Sequence, residues 1–105
     1  MTFSEYMLQE TGYKTITTFW EDFSIADRYG TNSIKDTFNR AFNEWKSNYK
    51  YLTELVIVLN YKSWYYNERN DTYSQLYAQL WEKADAYACD NLTGEELEYF
   101  YSTTD

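Results

Sequence analysis

Glu82 and Asp85, two acids separated by two residues, are the arrangement in this sequence closest to a reaction centre. On a helix that spacing puts both carboxylates on one face, where they can share a magnesium ion, the chemistry of a magnesium-dependent nucleotide hydrolase. All-α enzymes of that kind need a second Glu-x-x-Glu pair upstream, and the chain has none. The pair is therefore expected to be part of a solvated acidic face. Histidine is absent, which removes Ser-His-Asp and Cys-His sites, imidazole-bearing zinc sites and Glu-x-x-His metal bundles. The lone cysteine, Cys89, falls late in a helical stretch beside Asp90 and is expected to be a small packing residue. Gly12, Gly30 and Gly94 stand apart from one another, so no glycine-rich loop cradles a phosphate. No enzyme activity, cofactor or metal is expected.

Charge points instead to a macromolecular partner. The net charge is −8, and from residue 70 onward eight acids face Lys83 alone, a balance of −7. Glu82, Asp85, Asp90, Glu95, Glu96 and Glu98 make up most of this acidic pole. Such a surface repels nucleic acid and membranes, which are anionic, and attracts basic protein surfaces. A second candidate surface is aromatic. Rings make up 22% of the chain, and Tyr61, Trp64, Tyr65 and Tyr66 crowd into six residues of one helix. Four such rings cannot all face one way, so some are expected at the surface or lining a groove, with Trp64, Tyr65 and Tyr66 as candidate interface anchors.

The elements that must position these residues are helices. Proline is absent, which removes the commonest helix breaker. Short helices are expected at about 3–10, 18–29 and 93–101, and long ones at about 32–47, 49–69 and 72–90. Thr18-x-x-Glu21 and Thr93-x-x-Glu96 have capping-box spacing, and Leu92 with Leu97 could form a hydrophobic staple around the second. Gly30 is expected to end the 18–29 helix in a left-handed conformation. Ile34, Phe38, Ala41, Phe42 and Trp45 share one helical face. Residues 49–69 are apolar nearly all round, the pattern of a central helix. Tyr73, Leu76, Tyr77, Leu80, Ala84, Tyr87 and Ala88 turn inward on the next, leaving Gln75, Gln79, Glu82 and Ala86 outward with Asp85 at the boundary. Leu97 and Tyr101 are expected to share the inward face of the last helix. The fold class is an all-α bundle, a single domain over residues 1–105. The longest apolar run, residues 55–59, is far too short to span a bilayer, and a cytoplasmic location is expected.

Phe-Trp-Glu-Asp-Phe-Ser-Ile-Ala-Asp at 19–27, Ile-Lys-Asp-Thr-Phe at 34–38, Ala-Phe-Asn-Glu-Trp-Lys at 41–46 and Leu-Thr-Glu-Leu-Val at 52–56 resemble small uncharacterised proteins of Firmicutes phages and integrative mobile elements. The likeness runs on through Leu-Trp-Glu at 80–82 and Gly-Glu-Glu-Leu-Glu-Tyr-Phe at 94–100. It transfers no site residues. It implies an inhibitor of host defence, of the anti-CRISPR type, whose partner is a basic nucleic-acid-binding protein such as a CRISPR effector or another nuclease. Helical carboxylates would then act as a DNA mimic. The rival expectation is a self-associating structural protein, a homodimer or larger, joined through exposed aromatics.

Overall fold

The structure is a computed structural model that describes the backbone of residues 15–104 and the side chains of residues 18–104. Five helices and no strand occur among the described residues: α1 (Thr15–Asp27), α2 (Thr31–Trp45), α3 (Tyr49–Tyr66), α4 (Asp71–Asn91) and α5 (Gly94–Thr104). The all-α bundle expected from periodicity is the fold found. The helix expected at 3–10, and Gly12, lie outside the described residues.

Because α3 is apolar on several sides, it can be covered on several sides, and it packs against each of the other four helices. Leu52, Leu55, Val56, Val58 and Leu59 are all buried, as is Glu54 among them. The closest partner of α3 is α4, joined by a short turn that makes the two antiparallel. Two serines pin that hairpin: Ser63 Oγ donates to the Ser74 carbonyl at 2.9 Å, and Ser74 Oγ donates back to the Ser63 carbonyl at 2.8 Å. Leu76, Tyr77, Leu80, Ala84 and Ala88 form the buried face of α4, with Tyr73 and Tyr87 half-buried beside it. On α2, Ile34, Phe38, Ala41 and Phe42 are buried, and Phe42 meets Tyr87 of α4 edge to face at 5.2 Å. Each fully buried Leu, Ile, Val or Phe side chain among them stabilises the fold by about 1.5–3 kcal/mol.

The helix ends depart from the sequence signals in instructive places. Thr18 and Glu21 do not open a helix: α1 already includes Thr15, and both residues sit exposed within it. Gly30 has the expected positive φ, 106°, but with ψ of −174° it lies outside the left-handed helical well and stands as the residue preceding α2, not as a left-handed cap on α1. α3 stops at Tyr66, short of the expected 69, because Asn70 turns back to cap α4, its Oδ1 accepting from the Tyr73 N–H at 3.1 Å. Asn48 caps α3 in the same way, accepting from Lys50 and Tyr51. On α5 the residue that enters the core is Phe100, with Leu97 half-buried, whereas Tyr101 is 45% exposed. The inward face therefore runs through Leu97 and its i+3 neighbour. α5 lies chiefly across α3, where Tyr99 meets Tyr49 edge to face at 5.4 Å, and this rotates Tyr101 outward. Among the described residues, no helix is long and apolar enough to cross a membrane.

Candidate functional site

Among the described residues, two clusters of chemistry-bearing side chains stand out, one buried and one exposed. The buried one surrounds Asp27, the last residue of α1. Its Oδ2 accepts from Lys62 Nζ at 2.9 Å and from Tyr66 Oη at 2.7 Å, its Oδ1 accepts from Tyr77 Oη, and its backbone carbonyl accepts from Tyr73 Oη at 2.9 Å. The Lys62 and Asp27 side chains are only 4% and 9% exposed, and theirs is the one salt bridge among the described residues. Lys62 Nζ also donates to Ser24 Oγ at 2.9 Å and lies 4.2 Å from the centre of the Trp20 ring. Burial pulls the Lys62 pKa below its ordinary value, opposed by the hydrogen bond and charge of Asp27. Burial first, then the same carboxylate, pushes the Tyr66 and Tyr77 hydroxyls above the ordinary tyrosine range.

A serine beside a lysine invites comparison with a nucleophile and its base. Here the Ser24 hydroxyl proton is directed to the Trp20 carbonyl at 2.7 Å while its oxygen accepts from Lys62. Both capacities of the hydroxyl are engaged inside the fold. The cluster ties α1 to α3 and α4, and its charges answer one another across those helices.

The exposed cluster contains the acids singled out in the sequence. Glu82, Asp90, Glu95, Glu96 and Glu98 are exposed, and none forms an ion pair with another described residue. Asp85 is half-buried, as its boundary position on α4 requires. Gln75, Gln79 and Ala86 face outward with Glu82. Among the described residues, no group of three or more histidine, cysteine, aspartate or glutamate side chains is arranged to hold a metal ion. Cys89, expected to be packed, is exposed instead, its Sγ 3.4 Å from Tyr101 Oη. That contact joins α4 to α5, and Tyr101 lines a groove together with Asp85 of α4.

That groove, of about 630 Å³, lies between α3, α4 and α5 and is lined by Tyr61, Trp64, Trp81, Asp85 and Tyr101 among others. Trp64 is 69% exposed and Tyr65 38%. The two rings line different hollows: Trp64 belongs to the groove, while Tyr65 lies under the Arg69 guanidinium at 4.4 Å and lines a separate depression with Asp27 and Lys62. Tyr66, also a candidate anchor, is half-buried and donates to Asp27 instead. Asp85 and Trp64 are thus brought together, whereas Tyr65 is not part of that surface.

The Asp27 cluster has no motif of its own in the sequence. The signal available for it was phase: Leu55, Leu59, Lys62 and Tyr66 follow one another at helical spacing, so a lysine stands in line with an apolar stripe. No family model matches the chain, and neither does any curated protein or solved structure.

Proposed function

We propose that the chain is a non-catalytic protein-binding module whose acidic α4–α5 face docks on the basic, nucleic-acid-binding surface of another protein. The observation that carries this reading is the set of five exposed carboxylates, Glu82, Asp90, Glu95, Glu96 and Glu98, that no described cation neutralises. Fixed negative charge on rigid helices accelerates encounter with a basic partner and orients it, and it imposes no reorganisation on docking. The resemblance to phage and mobile-element proteins makes a host defence nuclease, including a CRISPR effector, the first partner to test, with the carboxylates standing in for phosphates. Binding of the purified chain to such a nuclease should weaken steeply between low and high salt, and the triple variant Glu82→Lys, Glu95→Lys, Glu98→Lys should abolish it. Salt-insensitive binding, or full binding by that variant, refutes the proposal.

A second reading has its own observation, the 69% exposure of Trp64. A large ring in water is a suitable anchor for a second copy of the chain. Light scattering at high protein concentration decides it: self-association that Trp64→Ser removes supports the reading, and a strict monomer ends it.

A further inference from the structure

A depression of about 460 Å³ lies between α1 and α2, and α5 packs against neither of those helices. Asp22, Ile25, Tyr29, Asp36 and Arg40 are among the residues that line it. Ile25 is 53% exposed, and Tyr29, in the turn that joins the two helices, is 78% exposed. Because both line one depression they give adjoining apolar surface in water, whereas a single exposed apolar side chain would be ordinary. The three charged residues are exposed as well. Arg40 follows Asp36 by four residues, yet it forms no ion pair with either acid, the Lys62–Asp27 bridge being the one salt bridge among the described residues.

We propose that this α1–α2 face joins two copies of the chain about a two-fold axis, with Ile25 and Tyr29 at the centre of the contact and Arg40 of each copy answering the ring and acids of the other. The two ends of the depression differ in a way that suits such an axis. Tyr29 stands in the turn, while Arg40 stands about 13 Å along α2 from Thr31, so a two-fold rotation carries the guanidinium end of one copy onto the ring end of the other. Guanidinium groups stack on aromatic faces and pair with carboxylates. The face also carries both signs of charge, unpaired within one copy, so it can complement itself. Charge selects this face over the others. Two molecules of net charge −8 repel, but the exposed charges of α1, α2 and the turn between them are four acids and three bases, a balance of −1, against −7 from residue 70 onward. Pairing here leaves α5 clear on both copies, so a target with two basic sites would be held more tightly than one contact allows. The proposal does not rest on the acidic-face reading, and either can fail alone.

The test is sedimentation velocity of the full chain at physiological salt, from micromolar to near-millimolar concentration, with reductant present to keep Cys89 from linking copies. Monomer should give way to dimer as concentration rises. Ile25→Asp and Arg40→Asp should each weaken the dimer by roughly tenfold or more with an unchanged circular dichroism spectrum, and Trp64→Ser should leave it intact. Exchange of charge is the sharper arm. Arg40→Asp leaves only acids among the charges lining the face, and the double variant Asp22→Arg, Asp36→Arg leaves only bases, so each should be monomeric alone and the two should pair when mixed. A strict monomer over the whole range overturns the proposal. So does an association that Trp64→Ser removes, and so does a folded pair of charge variants that stays monomeric on mixing.

Discussion

At the junction of α1, α3 and α4, one carboxylate, Asp27, is about nine-tenths shielded and receives hydrogen bonds from Lys62, Tyr66 and Tyr77. Along α4 and α5, five carboxylates are exposed and paired with no described cation. The contrast separates two uses of one chemical group. A buried carboxylate with complete partners contributes to fixing one arrangement of helices, since removing any partner leaves a charge stranded in a medium that solvates it poorly. Surface carboxylates contribute almost nothing to the fold and are therefore open to a partner. The acid-rich composition of this chain obscures that difference, because all these residues count equally toward the net charge.

The comparison breaks most readily at its buried end. Asp27→Asn should destabilise the protein by about 3–5 kcal/mol, measured by urea unfolding, because Lys62 keeps its charge and loses its counterion. A loss below about 1 kcal/mol would place Asp27 with the surface acids. High pH should act on the same cluster. Above the ordinary tyrosine value of 10.0, the unfolded chain releases protons that Tyr66 and Tyr77 retain in the fold, so stability falls as pH rises. Lys62 works with the opposite sign, because its lowered pKa favours the fold as pH climbs toward the lysine value of 10.5. Past about pH 10.5 Lys62 adds no further slope and the two tyrosines leave a net fall. Unfolding at a series of pH values from 9 to 11, followed by circular dichroism, should show it, and the double variant Tyr66→Phe, Tyr77→Phe should flatten the profile.

Smaller effects sharpen the contrast. Tyr77→Phe alone removes one hydroxyl from a charged acceptor and should cost about 1.5–3 kcal/mol. The triple reversal at Glu82, Glu95 and Glu98 should change stability by no more than about 0.5 kcal/mol per site while eliminating partner binding. Trp64→Ser should be the most silent of all in thermal unfolding, since the ring is largely in water. If the triple variant unfolds several degrees lower, the acids are structural and the two regions are alike.

The sequence made the surface legible and the buried cluster hard to see, for a physical reason. Exposed Glu82 and half-buried Asp85 follow from the phase of one helix, as do Phe38 and Phe42 in the core. Periodicity within a helix is local information. Asp27 and Lys62 are 35 residues apart and Asp27 and Tyr77 are 50 apart, and no spacing rule connects residues on three helices whose relative rotation is set by packing. The Thr18–Glu21 signal failed for a related reason: a capping box describes a helix start only where the preceding chain leaves the helix, and here residue 15 is already helical. Tyr101 was misplaced because α5 is oriented by α3, so the choice between i+3 and i+4 neighbours of Leu97 lay outside its own sequence. The groove shared by Trp64 and Asp85 likewise required knowledge of how α3 and α4 sit together.

Cys89, the chain's one thiol, sits exposed against Tyr101, itself a residue of that groove. Oxidation in air can join two molecules only through this atom, and the link would press two acidic faces together and hide both from any third party. Linked pairs should therefore be inert in binding while remaining fully folded. In a sample stored without reductant, the dimer band on a non-reducing gel should equal the fraction of protein that no longer captures its target, and dithiothreitol should restore that fraction without refolding.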